Sequence, residues 1–133
     1  MNEERRTLIR RIYDAMNRRD IEELQRIGRR FSDFEWRSAP DEIDADTHRG
    51  AASALAYARG VFELFAEVQT TIEEEIALGP DQLILVVSHD ALGATSGAQT
   101  ERREAHLWTF REGGAVSLRE YLTVEEAREA ANR

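Results

Sequence analysis

The stretch Glu104–Leu122, EAHLWTFREGGAVSLREYL, decides how the chain is read. It contains two runs of strand-forming residues separated by Arg-Glu-Gly-Gly, a composition that turns one strand back on another. Side chains alternate across a strand, so Arg102, Glu104, His106, Trp108 and Phe110 share one face of a strand predicted over Gln99–Phe110. If the turn pairs Phe110 with Val116, Trp108 stands opposite Leu118 and His106 opposite Glu120 on the returning strand, Ala115–Leu122. This is the more apolar face and should meet the helices. A slip of one residue would reverse it.

The sequence on either side supplies those helices. Leu8, Ile9, Ile12, Tyr13 and Met16 recur at helical spacing and predict an amphipathic helix over Glu3–Arg18. Asp20 followed by Glu23 starts a second, short helix with Ile21, Leu24 and Ile27 as its stripe and Gly28 near its end. The alternation of Phe34 and Trp36 predicts a strand in FSDFEWRSA, and PDEIDADTHRG reads as a loop. A third helix is expected over Ala51–Val68, with Leu55, Phe62, Leu64 and Phe65 as core candidates. VQTTIEEEIAL and LILVVSHDAL follow as strands divided by GPDQ, and GATSG leads into the long strand. Thr123 with Glu126 opens a short terminal helix to Ala131. The order ααβα followed by four strands predicts one α+β domain over residues 1–133, with helices on one face of a curved antiparallel sheet.

Composition bounds the chemistry. A chain of 133 residues buries about two-thirds of its unfolded surface. It has no cysteine, which excludes disulfides, a thiol nucleophile and thiolate zinc sites. All eighteen basic residues are arginine, which excludes Schiff-base chemistry and a P-loop lysine. A net charge of −8 disfavours nucleic acid and anionic membranes as partners. No apolar leader follows Met1, and the longest apolar run, Leu83–Val87, is too short to span a bilayer, so a cytoplasmic location is expected.

His106 and Glu120 are the candidate catalytic residues. A carboxylate beside an imidazole in a partly apolar cavity forms an acid–base unit; the same two groups also make a plain half-buried ion pair. Tyr13, Met16, Trp36, Tyr57, Trp108 and Leu118 are candidate walls of a ligand pocket, or simply core, and His89 is a candidate at its rim. The acidic stretch Asp41–His48 fails as a calcium loop, because counting from Asp44 puts Arg49 and Leu55 where glycine and glutamate are needed. No metal or organic cofactor is expected.

LIRRIYDAMNRRDIEELQRI, FEWRSAP, THRG before the third helix and AHLWTFREGGAVSLREYL together resemble the SnoaL-like family. That family is related to polyketide cyclases, within the superfamily of nuclear transport factor 2, ketosteroid isomerase and scytalone dehydratase. The resemblance implies a cone-shaped, cystatin-like αβ barrel: a curved antiparallel or mixed sheet against three helices from the N-terminal half, with a pocket between them. It also implies a homodimer and a hydrophobic small-molecule ligand. The scaffold hosts many chemistries. Relative to ketosteroid isomerase, the positions of the tyrosine, the base and the second aspartate hold Ile12, Ser38 and His106. Relative to limonene epoxide hydrolase, Leu85 and Val87 replace the arginine and one aspartate, and Glu120 stands for the other. The polyketide cyclases match best, with His106 on the long strand and Glu120, a glutamate for the usual aspartate, on the last. This implies proton abstraction next to a carbonyl of a flat apolar substrate, of isomerase or cyclase type. The alternative is a non-catalytic ligand-binding or dimeric interaction domain.

Overall fold

The structure, a computed structural model, describes residues 1–31, 33–40, 46–112 and 114–132. Helices α1 (Glu3–Arg18) and α2 (Ile21–Gly28) are followed by short strands β1 (Glu35–Arg37) and β2 (Thr47–Arg49), then helix α3 (Ala51–Leu64). The second half contains β3 (Phe65–Leu78), β4 (Gln82–Gly93), β5 (Gln99–Arg111), β6 (Gly114–Tyr121) and helix α4 (Val124–Ala131). The six strands form one sheet in the order β2-β1-β6-β5-β4-β3. It is mixed rather than purely antiparallel, because β1 lies parallel to β6.

Local capping starts the helices where the sequence indicates. The Asn2 side chain accepts from Arg5 N, Asp20 from Glu23 N and Thr123 from Glu126 N. Alternate residues of β4 and β5 then build two cores. Leu83, Leu85, Val87, Trp108 and Phe110 pack with Ile9 and Tyr13 of α1, while Ile84, Ala105 and Leu107 pack with Ala127 and Ala130 of α4. The last helix therefore covers the opposite face from α1, and the expectation of helices on one face alone is corrected. The two-sided burial of Leu83–Val87 is what a continuous apolar run serves.

Two boundaries also differ from the sequence reading. Helix α3 stops at Leu64 instead of Val68, because Phe65 takes extended geometry and pairs with Gly93 at the end of β4. Leu64, expected in the core, is 44% exposed. Strand pairing outweighs the helical spacing of this segment. Thr47–Arg49, read as loop, pairs with β1 and sets His48 opposite Trp36. The rest of the acidic loop, Asp41–Ala45, lies outside the described residues.

The pairing of Trp108 with Leu118 and His106 with Glu120 is as expected. Phe110 pairs with Ala115 rather than Val116, because a bulge between Thr109 and Phe110 shifts the register next to the turn. Two more irregularities interrupt β3 against β4, between Phe65 and Glu67 and between Ile72 and Glu74. Bulges of this kind bend a strand and increase its twist, which curves the sheet around α1–α3. Among the described residues, no helix is long and apolar enough to cross a membrane.

Candidate functional site

The space between the curved sheet and α1–α3 is incompletely filled. A cavity of about 140 Å³ remains, with apolar walls from Ile12, Met16, Phe31, Phe34, Trp36 and Leu118. Its polar wall is made by Thr70, His89, His106 and Glu120, with Tyr13 and Trp108 beside them. The strands position these groups rigidly. His106 and Glu120 are cross-strand partners on β5 and β6, and Thr70 and His89 are partners on β3 and β4. Trp36 reaches the cavity because β1 lies beside β6, with Trp36 opposite Leu118.

Glu104 organises the polar groups. Its side chain is completely buried, and its Oε1 lies 2.8 Å from His106 Nε2 and 2.9 Å from His89 Nε2. An Arg102 guanidinium nitrogen lies 2.8 Å from its other oxygen. Burial alone raises the Glu104 carboxyl, but hydrogen bonds from His106 and His89 outweigh it and hold the group well below the usual carboxylate range. An ionised Oε1 only accepts, so both imidazoles donate to it through Nε2–H.

That assignment propagates. Burial lowers the pKa of His106 and keeps it neutral, leaving Nδ1 as an acceptor. The Tyr13 hydroxyl lies 2.6 Å from this Nδ1 and donates to it, while accepting from Trp108 Nε1 at 3.0 Å. Burial also raises the pKa of Tyr13 well above its ordinary value, so the hydroxyl retains its proton. On the other ring, His89 Nδ1 lies 2.8 Å from Thr70 Oγ1. The sequence Trp108–Tyr13–His106–Glu104–His89–Thr70 is thus one continuous chain of hydrogen bonds through the sheet face.

Glu120 is held separately. Its Oε2 accepts from Trp36 Nε1 at 2.8 Å, and its Oε1 accepts from the Ala39 backbone N–H at 3.1 Å. His106 Nε2 is 3.9 Å from Glu120 Oε2, beyond hydrogen-bond distance and close enough for electrostatic coupling. The structure therefore brings His106 and Glu120 together, but the carboxylate bonded to His106 is Glu104.

The other expected wall residues divide cleanly. Tyr13, Met16, Trp36, His89, Trp108 and Leu118 all line the cavity. Tyr57 is not among the lining residues; its ring packs edge-on against Trp36 at 4.8 Å and stacks on His48 at 4.2 Å, supporting the wall from behind. Sequence reasoning missed the roles of Glu104 and Thr70. Glu104 lies two residues before His106 on the same strand face, which was a usable signal, and Thr70 became identifiable only through the β3–β4 register.

Comparison with known proteins places the fold. A SnoaL-like domain profile matches residues 9–118. No curated protein matches the chain at significant sequence similarity. Bal32a, from a soil-derived mobile gene cassette, superposes with a TM-score of 0.78 at 17% identity, covering 98% of each chain. An NTF2-like protein of unknown function from Burkholderia pseudomallei gives 0.77 at 21% identity, over 96% of this chain and 97% of that one. A putative SnoaL-like polyketide cyclase from Jannaschia gives 0.71 at 15% identity, over 93% and 88%. At these identities the structural likenesses show the fold alone. The profile match spans most of the sequence, and the chain belongs to the SnoaL-like domain family.

Proposed function

We propose that the protein is a small-molecule enzyme in which Glu120 removes a proton next to a carbonyl of a compact, mostly apolar substrate. The observation that carries this reading is a buried carboxylate on the wall of an apolar cavity, held in a fixed plane by Trp36 Nε1 and Ala39 N–H. A base fixed in this way meets the substrate without reorganising. His106 and Tyr13 stand on the same wall with their protons committed to Glu104 and to the His106 ring, so they fix the polar edge of the cavity beside the base.

The cavity limits the substrate. Its volume of about 140 Å³ is close to that of the engineered protein cavity, about 150 Å³, that takes up benzene. A single ring or a short branched chain fills this space, and a larger skeleton would extend through the cavity's open side.

The test is proton exchange in D₂O, followed by NMR, over a panel of monocyclic and short-chain β-keto compounds. Glu120→Gln should slow exchange by about 10²–10⁴-fold while ligand binding is retained. Exchange that is undiminished in this variant would remove Glu120 as the base. Binding without exchange in the wild type would favour the non-catalytic alternative.

A further inference from the structure

We propose that His89, Glu104 and His106 form a binding site for a divalent first-row transition ion of the zinc or ferrous kind. This goes beyond the acid–base reading of Glu120 and does not depend on it.

Three donor atoms of suitable chemistry converge. His89 Nε2 and His106 Nε2 lie 2.9 Å and 2.8 Å from Glu104 Oε1, and all three atoms are within 4.8 Å of one another. An ion with bonds of roughly 2.0–2.2 Å separates neighbouring ligands by about 2.9 Å at right angles and about 3.4 Å in a tetrahedron. Two edges of the site therefore already have the length that right-angle coordination requires. The third, at most 4.8 Å, shortens by rotation of His89, whose side chain is 18% exposed against 3% for His106 and 0% for Glu104. Two imidazoles and one carboxylate are a borderline ligand set: they favour zinc or ferrous ions over magnesium and calcium, which prefer oxygen shells.

The atoms that point away from the ion are also secured. His106 Nδ1 meets the Tyr13 hydroxyl, His89 Nδ1 meets Thr70 Oγ1, and the second oxygen of Glu104 meets Arg102. Metal-binding histidines are oriented by such outer partners, each donating its remaining N–H. With Nε2 on an ion, both rings carry the proton on Nδ1. Tyr13 and Thr70 can take it, because a hydroxyl accepts as readily as it donates. The same scaffold therefore serves the metal-free network and the metal-bound one, with one proton relocated on each ring. The ligands come from neighbouring strands, with Glu104 opposite Val87, so the backbone holds their spacing. His89 and His106 line the cavity, so an ion on them is reached from it. Arg102 offsets part of the Glu104 charge, and the affinity should be lower than that of a structural zinc site.

The experiment uses the full chain after chelator treatment, titrated with Zn²⁺ by calorimetry and with Co²⁺ by visible absorption. The expected result is one saturable ion per chain, a Co²⁺ ligand-field band that Zn²⁺ displaces, and a higher unfolding midpoint at saturating Zn²⁺. His89→Ala should weaken binding by about a hundredfold or more, and Glu104→Gln likewise. His89 is at the rim, so His89→Ala decides the matter even if Glu104→Gln fails to fold. Absence of saturable binding would overturn the proposal, as would equal affinity and stoichiometry in His89→Ala, which would place the ion on surface carboxylates.

Discussion

Replacing Glu104 by glutamine keeps the side chain nearly isosteric and removes its charge from beneath two histidines and an arginine. In the metal-free protein, three polar partners then face a neutral amide in a completely buried position. Removing one member of a buried ion pair costs about 3–5 kcal/mol, and Arg102, 32% exposed, recovers some hydration, so the lower end applies. For a domain of 133 residues, about 3 kcal/mol corresponds to roughly 10 °C in Tm. The pH dependence has a definite sign. The Glu104 pKa is depressed on folding, so its stabilisation is complete above the unfolded carboxylate value of about 4.3 and is lost as pH falls below it. His106 is also depressed, so protonation of the unfolded chain below about pH 6.5 destabilises the wild type in the same direction. Thermal unfolding of both proteins in chelator from pH 7.5 to 3.5 should show a gap near 10 °C at neutral pH that narrows below about pH 4.5. A gap under about 3 °C at pH 7, or one that does not narrow in acid, would refute the charge network as a source of stability.

Tyr13→Phe removes the donor to His106 Nδ1 and leaves Trp108 Nε1 without its acceptor, which should cost about 1–3 kcal/mol by denaturant unfolding. In an ultraviolet titration of the wild type, one tyrosine should ionise well after an ordinary phenol, and this late component should vanish in the same variant. Gly114 has φ +137°, and a Cβ there would stand 1.9 Å from the Phe31 ring. Gly114→Ala should therefore lower Tm and weaken binding of one-ring ligands by displacing a cavity wall, whereas unchanged binding would show that Phe31 can yield freely.

How far the sequence discloses the site is instructive at Phe110 and Glu104. Alternation along the long strand gives the buried face correctly, and the His106–Glu120 register follows from it despite a mistaken first pair. The Thr109–Phe110 bulge absorbs the difference, and no local residue signals it. Glu104 is legible as a face and illegible as a partner, since its bond to His89 depends on the β4–β5 register across a loop of small residues. The pocket itself depends on how far α1 and α3 stand from the sheet, a packing result that periodicity does not contain. Tyr57 illustrates this: it has the spacing of a wall residue and sits one layer behind it. The end of α3 is a competition between helical propensity and pairing with Gly93, decided only when both segments are present.

The parallel pairing of β1 with β6 has a kinetic consequence. Trp36 and Leu118 are neighbours in space and about eighty residues apart in sequence, among the longest loop closures the fold makes. During synthesis, β1 emerges before β3, β4 and β5, and its partner β6 after them. The indole that holds Glu120 thus has no carboxylate to meet until all the other strands of the sheet have been made. Pocket assembly should be the final step of folding, and the slowest kinetic phase should be visible as the late burial of Trp36.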